Sequence, residues 1–171
     1  MKTLFTAVLA FAVLAFTAHA DLTVKVSDVH LCCGKCVNGV KKAVATVPGV
    51  TAEVDQDGGS VSLTGADAAT VQKAADAITE AGYYGTTTDA TVKLSSATGA
   101  KGAKVTTLTV TGVHLCCGKC VKAVTDALGT VPGVTGNTVT KGAKSFDVTG
   151  DFTDSDVFAA LQKIGLTGKA Q

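Results

Sequence analysis

Arginine and tryptophan are both absent from this 171-residue chain. Its only methionine is Met1, and it has just two prolines. Each absence excludes something. Without arginine there is no planar fork for phosphate or nucleic acid, and lysine does not dominate in its place. Once Lys2 is set aside with the leader described below, 14 of the 15 lysines remain against 14 acidic residues, a formal charge of zero. No run of like charges suggests a tail. Without methionine after the first position, metal sites built on thioether sulfur are excluded. Aromatic residues make up 5% of the chain, so any core must be small and filled by small side chains such as valine and alanine. Two compact domains suit that filling better than one large one.

What is present is concentrated. Val29 to Cys36 reads VHLCCGKC, and Val113 to Cys120 reads the same. All six cysteines lie in these two octets. Two of the three histidines, His30 and His114, lie there as well. The remaining one, His19, falls near the end of MKTLFTAVLAFAVLAFTAHA. That opening has Lys2 in a positive start, an apolar run from Leu4 to Phe16, and a small-x-small end at Ala18-His19-Ala20. It reads as a secretory signal peptide over residues 1–20. The apolar run is shorter than the roughly 20 residues needed to span a bilayer. The expectation is an exported protein, periplasmic or secreted, with no stable membrane insertion after cleavage.

The chain is a duplication. Adding 84 to a position in the first half finds its partner: His30 and His114, Cys33 and Cys117, Cys36 and Cys120, Pro48 and Pro132. Val37, Val40, Val44 and Val47 map onto Val121, Val124, Leu128 and Val131. Their spacing predicts a helix that starts near Gly34 or Gly118 and stops before Pro-Gly. Before each octet, Leu22 to Val26 and Thr107 to Thr111 alternate as half-buried strands do. Thr51 to Asp55 and Ser60 to Thr64 read as a hairpin around Asp57-Gly58-Gly59. In the second copy the hairpin is expected at Val139 to Thr140 and Ser145 to Thr149. A second helix follows in each copy, through Val71, Ala74, Ala75 and Ile78, and through Val157, Leu161 and Ile164. Thr153 and Asp154 are candidate caps for the latter. A last strand is expected over Tyr83 to Thr88, with a stunted counterpart near Leu166.

That order predicts an α+β protein: two tandem ferredoxin-like βαββαβ domains, each an antiparallel sheet with two helices on one face. The first domain spans residues 21–88 and the second 106–171. Residues 89–105, rich in Thr, Ser, Ala and Gly, read as a flexible linker. Fully coiled, its ends would average about 20 Å apart. That lets the two octets approach without forcing them to.

Within each octet, Cys33 with Cys36 and Cys117 with Cys120 have the spacing that aims two sulfurs at one spot as a chain turns into a helix. The helix N-terminus brings free N–H groups and partial positive charge near the second sulfur. Lys35 and Lys119 add charge of the same sign. All of this favours thiolate, which binds soft metals and is also the nucleophile of disulfide exchange.

Each unit resembles the heavy-metal-associated domain family, which includes copper chaperones and the metal-binding modules of P-type ATPases. The resemblance rests on the Cys-x-x-Cys loop between first strand and first helix, on Val47-Pro48-Gly49-Val50 and Val131-Pro132-Gly133-Val134, and on Ala81-Gly82-Tyr83. It implies Cys33, Cys36, Cys117 and Cys120 as metal ligands, Cu(I) as the ion, and a metal-transporting membrane protein or another metal-binding domain as partner. It also places Tyr83, and Leu166 in the second unit, near the loop. The family's methionine is Leu31 and Leu115 here, a replacement that suits an inward-packing position. Cys32 and Cys116 are additions. They enlarge the ligand set toward three-cysteine sites that suit Zn(II), or they face solvent or a partner.

Other readings stand beside this one. The cysteine pairs suit thiol–disulfide exchange, although no tryptophan flanks them. Structural disulfides are compatible with export, but so short a ring gains little from chain entropy. His30 and His114 are additional candidate ligands, read first as hydrogen-bonding residues at the loop base. Asp55 and Asp57 read as turn residues, and no nucleophile–base pair suggests an enzyme.

Overall fold

The computed structural model describes residues 21–171. The leader predicted over residues 1–20 lies outside the described residues. Two ferredoxin-like α+β domains follow one another. The first contains β1 (Leu22–Val26), α1 (Gly34–Val44), β2 (Val50–Asp55), β3 (Ser60–Gly65) and α2 (Ala68–Glu80). The second contains β4 (Lys104–Thr111), α3 (Gly118–Gly129), β5 (Val134–Asn137), β6 (Ser145–Thr153), α4 (Asp154–Lys163) and β7 (Lys169–Ala170). The sheets are antiparallel, in the orders β1-β3-β2 and β5-β6-β4-β7. No helix among the described residues is long and apolar enough to cross a membrane.

The alternation in β1 turns Val24 and Val26 inward, opposite Leu63 and Val61 of β3. Val40 and Val44 of α1, and Val71, Ala74, Ala75 and Ile78 of α2, close over them. The second core repeats the plan with Leu108, Val110, Phe146 and Val148 under Val124, Leu128, Val157 and Leu161. Burying each of these Val, Leu, Ile and Phe side chains contributes about 1.5–3 kcal/mol.

Three strand expectations need correction. Tyr83 to Thr88 does not run as a strand along β1. It makes two isolated bridges, Ser27 with Thr86 and Tyr83 with Leu166. The reason is that its backbone turns to the other domain: the Tyr84 N–H donates to the Gly165 carbonyl at 3.0 Å. The counterpart in the second domain is shifted to β7, where Ala170 faces Val110. The first strand of the second hairpin lies at Val134–Asn137 rather than Val139 to Thr140. It ends where the Asn137 side chain accepts the Val139 N–H at 3.2 Å.

Residues 89–103 carry no helix or strand, yet they are tied along their length. Gln72 exchanges two hydrogen bonds with the Lys93 backbone, 2.8 and 2.9 Å long, and Val92 is fully buried. Gln162 donates to Ser96 at 2.8 Å. Asp154, a candidate helix cap, instead accepts the N–H groups of Lys101 and Ala103 at 2.8 and 2.9 Å. Thr153 occupies the cap position without a side-chain hydrogen bond.

Candidate metal centre

Each octet leaves its strand through a left-handed residue, Asp28 in one copy and Gly112 in the other, with φ of 61° and 78°. The loop then leads to Cys33 and Cys117, which stand in extended conformation at the N-caps of α1 and α3. Leu31 and Leu115 turn inward and anchor the loops in their cores. Backbone bonds from Val29 to Gly59 and from Gly142 to Leu115, 2.9 and 2.7 Å, hold each loop against its own hairpin.

The two loops face each other. Gly82-Tyr83-Tyr84 and Gly165-Leu166-Thr167 lie side by side across the domain boundary. The Thr167 N–H donates to Gly82 at 3.0 Å, and the His30 N–H to Gly165 at 3.2 Å. Gly82 and Gly165 have φ of +87° and +75°. A Cβ on Gly82 would strike the Gly112 carbonyl, and one on Gly165 the Asp28 carbonyl. Both glycines are therefore required twice, for conformation and for close approach.

Tyr83 locks this arrangement. Its ring stacks on His114 of the other domain, centroids 4.6 Å apart. Its hydroxyl donates to the Cys36 carbonyl at 3.0 Å. Burial, and then the neighbouring Cys36 sulfur, push its hydroxyl pKa up. Gly39 of α1 makes room for the ring, since a Cβ there would meet the hydroxyl. The equivalent second-copy residue, Ala123, faces no tyrosine, because Leu166 takes that place.

All six sulfurs converge. Within the first octet, Cys32 lies 3.6 Å and Cys33 3.9 Å from Cys36. Within the second, Cys116 and Cys117 each lie 3.8 Å from Cys120. Across the boundary, Cys32 is 3.5 Å from both Cys117 and Cys120. Cys116 is 3.7 Å from Cys33 and 3.6 Å from Cys36. Cys33 and Cys117 are 4.0 Å apart, and Cys36 and Cys120 3.9 Å. The neighbours Cys32 and Cys33, and Cys116 and Cys117, lie within 4.8 Å. These twelve separations are the edges of an octahedron. Cys32 and Cys116, Cys33 and Cys120, and Cys36 and Cys117 stand at opposite corners. None of the six is in a disulfide.

The electrostatics differ from corner to corner. Cys33 and Cys117 have lowered pKa values, Cys117 down to about 6, chiefly through the influence of the backbone N–H of Cys36 or Cys120 at the helix N-terminus. Helix N–H groups thus serve the first sulfur of each pair, not the second as the spacing suggested. Cys36 is fully buried, and burial raises its pKa. Burial also raises Cys32, and pushes Cys116 up to about 12. His30 and His114 are held below the usual imidazole value by burial. Their Nε2 atoms are buried without a hydrogen-bond partner. A His30 ring nitrogen lies within 4.8 Å of the Cys32 and Cys120 sulfurs. Lys35 and Lys119 are exposed in the first turns of α1 and α3.

The sulfurs suit a soft ion. Three or four thiolates around one ion, with bonds of about 2.3 Å, stand roughly 3.8–4.0 Å apart, and these thiols are already at such separations. The sequence identified every sulfur but not their joining into one cluster. The visible signal was Gly82-Tyr83 and Gly165-Leu166 at matching places beside the octets.

A family model described as a heavy-metal-associated domain matches residues 23–84 and again 107–169. Among solved structures, the N-terminal soluble domains of Bacillus subtilis CopA, a solution structure, are 16% identical, with a TM-score of 0.33. That match covers 91% of this chain and 97% of that one. No curated protein matches. The two matched stretches account for most of the chain, which belongs to the heavy-metal-associated domain family as two tandem copies.

Proposed function

We propose that this protein is an exported, non-catalytic metal-binding protein that carries or sequesters a thiophilic ion, Cu(I) foremost, between its two domains. The observation that carries this reading is the convergence of Cys32, Cys33, Cys36, Cys116, Cys117 and Cys120 on one point, with sulfurs 3.5–4.0 Å apart across the boundary. Sulfur-only ligation selects soft ions, and methionine takes no part. Cys32 and Cys116 act as ligands in this reading. Export follows from the predicted leader. The two domains cover each other's sulfurs, so release to a membrane transporter or to another metal-binding domain requires them to part. An incoming thiolate then takes the ion by ligand exchange.

A second reading has one observation in its favour. Cys117, with its pKa near 6, lies 3.8 Å from Cys120, which is the arrangement of an exchanging thiol pair. Anaerobic titration of the reduced protein with Cu(I), and separately with Zn(II), against competing chelators tests both. Tight Cu(I) retained over Zn(II) supports the proposal. Zinc preferred over Cu(I) replaces the ion. No tight metal, together with disulfide reductase activity, favours the exchange reading.

A further inference from the structure

We infer that the two octets together build one polynuclear site for four Cu(I) ions, each held by three sulfurs, with every sulfur bridging two ions. This rests on the metal-binding reading above and goes beyond it in number, geometry and sharing.

The argument is geometric. An octahedron with ten edges of 3.5–4.0 Å and the other two within 4.8 Å puts its centre about 2.7 Å from each corner, too far for thiolate bonds of about 2.3 Å. A single central ion therefore does not fit. Four-coordinate ions do not fit either. No four corners of an octahedron are mutually adjacent, so no tetrahedron of sulfurs exists to enclose Zn(II). Two zinc ions sharing a pair of sulfurs would need two sulfurs that each neighbour all five others. Here every sulfur has one opposite.

What the octahedron offers is triangular faces. Three thiolates with bonds of about 2.3 Å to an ion in their plane are about 4.0 Å apart. One alternating set of faces is Cys32/Cys33/Cys117, Cys33/Cys36/Cys116, Cys116/Cys117/Cys120 and Cys32/Cys36/Cys120. No two of these share an edge, and each sulfur belongs to two of them. Each face draws on both domains or, for Cys116/Cys117/Cys120, on one domain closed over by the other. Neither octet alone has enough sulfurs for such a shell.

Charge supports the count. Six thiolates carry six negative charges, and four monovalent ions leave two. The N-termini of α1 and α3, with Lys35 and Lys119 in their first turns, supply positive potential of that order. One or two Cu(I) ions would leave four or five negative charges in a half-buried space, or leave most of the thiols protonated. Loading displaces whatever protons the six sulfurs still carry and forms twelve Cu–S bonds. The protons leave to solvent, and copper and sulfur keep their oxidation states. A His30 ring nitrogen lies within 4.8 Å of the Cys32 and Cys120 sulfurs, and the Nε2 atoms of His30 and His114 are buried without a hydrogen-bond partner.

The test is anaerobic Cu(I) titration of the reduced protein, read by native mass spectrometry and by X-ray absorption at the copper edge. The inference expects loading to end at four ions per chain, a three-sulfur first shell and a short copper–copper path. Saturation at one or two ions, with a two-sulfur shell and no copper–copper path, overturns the cluster while leaving Cu(I) binding intact. Failure to hold any Cu(I) with all thiols reduced overturns both readings. A second variant guards the result. Cys32→Ser with Cys116→Ser takes one sulfur from every face of either alternating set, yet keeps both Cys-x-x-Cys pairs. It is expected to hold at most two ions and to lose the copper–copper path. Retention of four ions by this variant contradicts the inference.

Discussion

The sulfur of Cys32 lies 3.5 Å from that of Cys117, although 84 residues and a domain boundary separate them in the chain. An extra cysteine in one domain thus meets the first Cys-x-x-Cys sulfur of the other. Cys116 repeats the relationship with Cys33 at 3.7 Å. The first cysteine of each octet thus lies against the Cys-x-x-Cys pair of the other octet.

Docking depends on glycine at two positions. Gly82→Val and Gly165→Val each place a branched side chain at positive φ and against a carbonyl of the other domain. Each is expected to part the domains while leaving each core folded. Small-angle scattering checks this through a larger radius of gyration with unchanged helical circular dichroism.

Tyr83→Phe removes one hydrogen bond, to the Cys36 carbonyl, and keeps the stack on His114. It should cost about 1 kcal/mol. Tyr83→Ala also leaves a cavity beside Gly39 and should cost about 3–5 kcal/mol. Urea unfolding of the metal-free protein measures both.

The thiols set a pH dependence. Cys117 has a folded pKa of about 6 against an ordinary value of 9.0, so it binds its proton less tightly when folded. Its contribution is present above pH 9, shrinks as pH falls toward 6, and is gone below that. Cys116 is displaced the other way, to about 12, so its contribution is lost as pH rises above 9. Stability of the reduced, metal-free protein should therefore rise between pH 6 and 9 and fall beyond. Thermal melts across that range check the sign. Brief alkylation at pH 7 should label Cys117 well before the buried Cys36.

Asp154 holds the connecting segment through charge-assisted bonds to Lys101 and Ala103, and these N–H groups keep its carboxyl below the usual range. Asp154→Ala should cost about 1–3 kcal/mol. Hydrogen exchange at the Lys101 and Ala103 amides should speed up in the same variant.

Much of this was legible in the residues. The 84-residue shift, the helical spacing of Val37 to Val47 and the alternation of Leu22 to Val26 locate most strands and helices. Local patterns of that kind report which face an element buries, and each domain obeys them. They do not report what one domain does to the other. Tyr83 to Thr88 reads as a strand by composition, but Tyr83 and Tyr84 pair with Leu166 and Gly165 of the other domain and only Thr86 pairs with Ser27 beside β1. Cys32 and Cys116 had no local partner that would fix their direction, because their neighbours lie on the other copy. The strand at Val134–Asn137 was misplaced because Gly136 breaks its alternation and its register with β6.

The most direct test of a shared site is to disable one octet and measure the other. In Cys33→Ser with Cys36→Ser, the second octet keeps Cys116, Cys117 and Cys120 intact. Cu(I) affinity is then measured by chelator competition against the unaltered protein and against the matching Cys117→Ser with Cys120→Ser variant. A site common to both domains predicts that either double variant holds Cu(I) at least about tenfold more weakly, a difference of about 1.4 kcal/mol. Undiminished affinity in the remaining octet, with only the stoichiometry halved, would mean that the two domains bind metal independently and would contradict the account.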